Sequence, residues 1–208
     1  MKYHFIFTAS IIEEQTDEPH IKRDLVYAGC IRDTMSKLSH LPITFYVVEN
    51  NGARETLLDT LENINVVYTD SNAETGWNMG KKEFYDIQHV AERFQFADED
   101  IVFKITGRYT IARPSFIERV MDYEEYADVF MKFYSFMDVS KYTKNDCILG
   151  LYAVRYNVMK GFTTEEWTNY TCAEIAFATY VRKVVDERRI MEVPFLDMYF
   201  RGNPKMHM

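Results

Sequence analysis

Asp98-Glu99-Asp100-Ile101-Val102-Phe103-Lys104-Ile105-Thr106-Gly107-Arg108-Tyr109 joins an acidic turn, a short apolar run and a Thr-Gly-Arg-Tyr exit. Residues 101–105 have the length and composition of a buried central strand, and Gly107 marks a turn or a close approach. In open α/β sheets ligands lie outside the carboxyl ends of the strands, so Thr106, Gly107 and Arg108 stand where a site is expected. An ordinary turn with Arg108 paired at the surface gives the same string. The flanking sequence has to decide between the two.

Upstream, residues 3–8 read as a strand apolar on both faces, as in a sheet covered on each side. Residues 21–38 carry a helical stripe of Ile21, Leu25, Ala28, Met35 and Leu38. A second strand, 43–48, ends in Glu49-Asn50-Asn51-Gly52; a short helix is expected at 53–61 and a third strand at 66–68. Asn78 opens a helix with Phe84, Ile87, Ala91 and Phe94 inward. This β-α-β-α-β-α-β alternation predicts a Rossmann-like, mostly parallel sheet flanked by helices, with right-handed crossovers. It puts Thr8-Ala9-Ser10, Glu49-Asn50-Asn51-Gly52, Asp70-Ser71-Asn72 and Thr106-Gly107-Arg108 on one edge. Asn78 can cap its helix, whose free N–H groups with Lys81 and Lys82 outline a phosphate site. Two solvated lysines at a helix start remain the plainer alternative. No Gly-x-Gly-x-x-Gly follows the first strand and no P-loop motif occurs, which disfavours those two nucleotide folds.

Downstream the alternation is less regular. A helix is expected at 114–123, an extended aromatic segment at 127–136 and a buried strand at 147–156, so that mixed strands extend the sheet. Residues 138–146, with Lys141, Tyr142 and Lys144, read as a polar loop suited to covering a pocket. A long helix is expected over 164–188, with a stripe of Trp167, Tyr170, Phe177, Val181 and Val184. The position this stripe demands in between is Glu174. An inward carboxylate costs on the order of several kcal/mol unless it is paired or lines a wet cavity. Burial would also raise its pKa toward that of a useful general base; a structural salt bridge is the alternative.

With 208 residues the chain suits one domain with a substantial core. Its 47% hydrophobic and 15% aromatic content argues against disorder, and no apolar run approaches the roughly 18 residues that span a bilayer. A net charge of -8 disfavours nucleic acid as a partner, while small anions need only a few local cations. Cys30, Cys147 and Cys172 show no Cys-x-x-Cys spacing, which points to a reducing, cytoplasmic compartment without zinc. Asn169-Tyr170-Thr171 matches a glycosylation sequon that would be idle there. Asp98 and Asp100 have the spacing of a divalent-metal pair, but they precede their strand and so belong at the opposite end of the sheet. The histidines show no paired ligand spacing.

Taken together, Glu49-Asn50-Asn51-Gly52, the Asn78-x-Gly80-x-Lys82-Glu83 helix start and Lys104-Ile-Thr106-Gly107-Arg108-Tyr109 resemble small nucleotide-sugar glycosyltransferases of the GT-A fold. Such proteins occur in bacterial surface-polysaccharide clusters and in large DNA viruses such as chlorella viruses. The likeness covers residues 1–110 best, the nucleotide-sugar half, and leaves 111–208 as the acceptor half. The resemblance implies a nucleoside-diphosphate sugar donor, UDP-linked foremost, and a glycan or glycoprotein acceptor. It implies that Thr8, Ala9, Ser10, Glu49 and Asn50 hold the nucleoside. Asn78, Lys81, Lys82, Lys104, Thr106 and Gly107 would then line the diphosphate side. Glu174 is implied as the base that deprotonates the acceptor in an inverting displacement, with Arg108 opposite the leaving group. Family members usually carry Asp-x-Asp ligands for Mn²⁺ or Mg²⁺ at the exit of the fourth strand. Here that exit is Thr106-Gly107-Arg108, so metal use stays open, with Asp98, Asp100 or Asp70 as alternatives.

Overall fold

A computed structural model describes residues 1–11, 23–135, 141–163 and 172–200, and the backbone course of 203–207. The first strands are β1 (Tyr3–Ala9), β2 (Ile43–Glu49), β3 (Asn65–Tyr68), β4 (Ile101–Thr106) and β5 (Tyr109–Ile111). They are followed by β6 (Val129–Met131), β7 (Leu151–Arg155), β8 (Ile190–Glu192), β9 (Met198–Phe200) and β10 (Asn203–His207). The helices are α1 (Arg23–Leu38), α2 (Met79–Arg93), α3 (Ser115–Tyr123), α4 (Tyr156–Lys160) and α5 (Ala173–Val184).

Seven strands form the main sheet in the order β3-β2-β1-β4-β7-β6-β8. All run the same way except β7, which is antiparallel to both β4 and β6. The chain steps outward from β1 to β2 and β3, then crosses back to place β4 on the other side of β1. The sheet therefore changes direction of growth between β1 and β4, the switch point at which α/β sheets open a crevice. A smaller antiparallel sheet, β10-β9-β5, starts immediately after Arg108 and stands beside that crevice.

Strand alternation explains how both faces are covered. Phe5, Phe7, Phe103 and Ile105 point to one face, where α1 and α3 supply Tyr27, Ile31, Phe116 and Ile117. Ile6 and Val102 point to the other, packed by Phe84, Ile87, Phe177 and Val181 of α2 and α5. Phe5 and Phe103 stack across the β1–β4 pair with centroids 5.8 Å apart. Burial of each such side chain contributes about 1.5–3 kcal/mol. The same alternation turns Lys104 toward the α2 face, although every other residue of β4 up to Ile105 is apolar.

Several expected boundaries moved. Residues 53–61 form only a 3₁₀ turn, Leu57–Thr60, capped by Thr56 with Asp59 in a capping box. Arg54 is the reason: its guanidinium binds Glu49 and the carbonyls of Ile11, Asn51 and Gly52, tying this backbone to the end of β2. The strand expected at 147–156 is Leu151–Arg155, because the chain turns at Leu149 and Gly150 to offer carbonyls to Lys104 Nζ and to the Thr106 N–H. A Cβ on Gly150 would come within 2.6 Å of the terminal methyl of Met198, which would have to move aside. The segment at 127–136 is regular only over Val129–Met131, followed by an isolated bridge between Tyr134 and Tyr142; Phe136 and residues 138–140 of the polar loop lie outside the described residues. The long helix of 164–188 is described from Ala173 to Val184, so Glu174 stands in its first turn rather than in mid-helix. Ile21, Trp167, Asn169 and Tyr170 lie outside the described residues. Among the described residues no helix is long and apolar enough to cross a membrane.

Candidate active site

The polar exits converge as the alternation predicts. In the β1–β4 register Thr8 lies opposite Thr106, and β1 pairs Ala9 with Glu49. The Gly107 N–H then donates to the Thr8 carbonyl at 2.8 Å, and the Asn72 N–H to the Asn50 carbonyl at 3.0 Å. A cleft of about 660 Å³ opens above these ends, within the size range of small-molecule sites. Its floor is Thr8, Ala9, Ser10, Asn50 and Thr106; α1 contributes Arg23 and Tyr27, and α2 contributes its cap Asn78 with Met79, Gly80, Glu83 and Asp86. Arg108, Leu149, Cys172 and Glu174 also line the cleft.

Each of these groups is held by identifiable chemistry. Asn78 caps α2 by accepting from the Lys81 N–H at 2.9 Å, leaving other first-turn N–H groups at the cleft wall. Gly107 is packed so that a Cβ would lie 2.9 Å from Tyr27 Cδ1 and 3.1 Å from the Thr8 carbonyl oxygen. The backbone of Arg108 is thus pinned, and the Cys30 thiol donates to its carbonyl at 3.4 Å. Its guanidinium lies over the Phe200 ring at 5.7 Å and, among the described residues, pairs with no carboxylate. Glu174 is half-buried, with Oε2 accepting from the Cys172 thiol at 2.9 Å. Burial and that carboxylate push the Cys172 thiol up to about 11, so it remains a donor.

Beneath the cleft lies a network that the apolar stripes did not reveal. Lys104 is 1% exposed; its Nζ donates to Glu83 Oε2 at 2.7 Å, to the Leu149 carbonyl at 2.6 Å and to Thr106 Oγ1 at 2.9 Å. Burial lowers the Lys104 pKa, with Glu83 opposing that shift. Glu83 Oε1 in turn accepts from the hydroxyls of Thr8 and Thr106. Deeper still, Asp86 is 1% exposed and accepts from Thr69 Oγ1 at 2.6 Å and Asn50 Nδ2 at 3.3 Å. Burial pushes Asp86 up to about 6 against those hydrogen bonds. Glu83, Asp86 and Phe84 share the buried side of α2 by their spacing, so the interruption of that stripe was the available signal.

Other expected site residues are placed elsewhere. Glu49 is fully buried below the rim, where Arg54, Asn51 and the Ile11 N–H satisfy it. Lys82 turns away from the cleft to the Asn72 carbonyl and side chain, and Lys81 lies over the Trp77 ring at 4.5 Å. Lys104 is part of the foundation rather than the lining. Asp98 and Asp100 stand at the amino ends of the strands: Asp98 pairs with Lys160, and Asp100 with His4 and the N–H groups of Lys2 and Ala97. Burial alone would raise the Asp100 pKa, but these donors lower it. Neither carboxylate can reach a ligand in the cleft, and among the described residues no three His, Cys, Asp or Glu side chains group as a metal site.

The strand order and the position of the cleft invite comparison with solved structures. Over 93% of this chain and 80% of its own, a protein from Desulfovibrio desulfuricans G20 described as a nucleotide-diphospho-sugar transferase superposes with a TM-score of 0.58 at 10% identity. The fold is GT-A-like. The GT-A-like sheet is shared with the galactosyltransferase LgtC in complex with donor and acceptor sugar analogs, at TM-score 0.53 and 9% identity over 85% of this chain and 69% of that one. It is also shared with 4-diphosphocytidyl-2C-methyl-D-erythritol synthase from Anaerococcus prevotii, at 0.55 and 11% over 92% and 86%. No protein-family model and no curated protein matches the chain in sequence.

Proposed function

We propose that the cleft binds a nucleoside-diphosphate sugar, UDP-linked foremost, and that the protein transfers the sugar to a hydroxyl of a glycan or glycoprotein acceptor. The observation that carries this reading is the convergence of Arg108, whose guanidinium pairs with no carboxylate among the described residues, the open first turn of α2 and the half-buried carboxylate of Glu174 around a single cleft at the β1–β4 switch point. A helix start and a guanidinium suit a diphosphate. The carboxylate suits proton removal from an attacking hydroxyl.

In the proposed reaction Glu174 takes the acceptor proton as that oxygen forms its bond to the anomeric carbon. The bond from that carbon to the diphosphate oxygen breaks, and Arg108 receives the developing negative charge. One displacement inverts the anomeric centre. Nucleotidyl transfer is the second reading, since cytidylyltransferases share this fold. The strand exit Thr8-Ala9-Ser10-Ile11 lacks the Gly-rich, basic character expected for a triphosphate loop, which supports sugar transfer instead.

Incubation with UDP-, GDP- and TDP-sugars and oligosaccharide acceptors, followed by detection of released nucleoside diphosphate, tests the proposal. Glu174→Gln is expected to bind donor normally and to lose about 10²- to 10⁴-fold in turnover, the usual contribution of a general base. Near-normal turnover in that variant refutes the role of Glu174. Pyrophosphate release from a nucleoside triphosphate and a sugar phosphate would replace the reading by nucleotidyl transfer, and donor binding without turnover by a binding module.

A further inference from the structure

The GT-A resemblance implies a divalent cation between the diphosphate and protein carboxylates, and the donor set that the described residues give this cleft does not fit one. Hard cations take several oxygen ligands, with carboxylates supplying the protein's share. Among the described residues three carboxylates line the cleft: Glu83, Asp86 and Glu174. Glu83 has one oxygen on the Lys104 ammonium and the other on two threonine hydroxyls. Asp86 is buried, with one oxygen on Thr69 and the other on Asn50. Glu174 keeps one oxygen clear of the Cys172 thiol, too few for a cage. The Lys104 charge is already balanced by Glu83, whereas Arg108 lines the cleft at the β4 exit and would repel a dication placed beside it.

Arg108, by contrast, is built as an anion receptor. Its backbone is fixed by the Gly107-to-Thr8 hydrogen bond and the Cys30 thiol, while its guanidinium rests on an aromatic face with its hydrogen-bond donors unclaimed by any described carboxylate. A guanidinium presents paired donors that match two phosphate oxygens. We infer that the cleft takes a nucleoside diphosphate without a divalent cation, with Arg108 and the first turn of α2 as the counter-charge. This rests on the donor reading above and deepens it.

Calorimetric titration of UDP, GDP and dTDP into the full chain, in EDTA and again with excess Mn²⁺ or Mg²⁺, tests the inference. At least one nucleoside diphosphate is expected to bind with the same affinity in both buffers. Arg108→Ala is expected to weaken it by about ten- to a hundredfold, as for loss of a charge-assisted hydrogen bond, while leaving the parent nucleoside's binding unchanged. Arg108→Lys, which keeps the charge but loses the paired donors, should fall between the two. Binding that requires the cation overturns the inference and leaves the donor reading standing. Equal weakening of diphosphate and nucleoside by Arg108→Ala also overturns it. Failure of every nucleoside diphosphate to bind, with or without cation, overturns both.

Discussion

Glu83→Gln isolates the buried pair under the cleft. In the native protein the Lys104 ammonium is 1% exposed and its sole anionic partner among the described residues is Glu83 Oε2 at 2.7 Å; the Leu149 carbonyl and Thr106 hydroxyl are neutral acceptors. Removing one charge from a buried pair costs about 3–5 kcal/mol. Glu83 itself is 22% exposed, so cleft water softens the loss and the lower end, about 3 kcal/mol, is expected. For a chain of this size that corresponds to a fall in Tm of about 6–12 °C. Lys104→Met in the same chain removes the stranded charge, so the double variant should return to within about 1 kcal/mol of wild type. Urea unfolding of the four proteins closes the cycle. The pH dependence gives a second readout. In Glu83→Gln the folded-state pKa of Lys104 lies further below its unfolded value. The native state therefore sheds its proton first as pH rises, and the deficit shrinks as pH climbs toward the unfolded-state value of about 10. A deficit below about 1 kcal/mol, or a double variant as unstable as the sum of the singles, refutes a charged, dry Lys104.

Three further outcomes follow from the same structure. Asp86, held up at about 6, keeps a native proton that the unfolded chain releases near pH 4, so stability falls by about 3 kcal/mol as pH rises between those values; Asp86→Asn should flatten that slope in urea melts at pH 4.5 and 7, and an unchanged slope assigns it to another group. Gly107→Ala forces a methyl against Tyr27 and the Thr8 carbonyl, at about 1–3 kcal/mol, and Tyr27→Leu should recover part of the loss; equal thermal stability of Gly107→Ala and wild type would show that the β4–β5 turn yields freely. Arg54→Ala leaves the fully buried Glu49 carboxylate with neutral donors alone, and about 2–3 kcal/mol should be lost in chemical denaturation; a loss under half a kcal/mol would mean those donors suffice.

The first half of the fold was legible because β1 to β4 are short and apolar, with α1, a 3₁₀ turn and α2 between them. Residues 101–105 and the Asn78 cap could be placed to within a residue. The α2 stripe of Phe84, Ile87 and Ala91 faced the core as expected. Sequence spacing failed where a single long side chain overrode it: Arg54 shortened a helix, and Lys104 drew the chain at Leu149 out of its strand. Glu174 was legible only in part. The residue does line the cleft, yet it does so from the first turn of α5, and the mid-helix stripe that singled it out included Trp167 and Tyr170, which the structure does not describe. Glu83 and Asp86 broke the α2 stripe in the same way and were passed over, since the polar helix start drew the reading to Lys81 and Lys82.

Lys104 also bears on the order in which the sheet can assemble. Strand β4 can pair with β1 as soon as it is made, but its other neighbour, led by the Leu149 carbonyl, lies 45 residues further along the chain. At about 5–20 residues per second, synthesis leaves that edge of Ile101, Phe103 and Ile105 uncovered for about 2–9 s. An open apolar edge invites pairing with other chains, and an inward-pointing lysine is among the devices that discourage it. Until Leu149 arrives, the ammonium that later supports the cleft floor makes the half-built sheet a poor template for its neighbours.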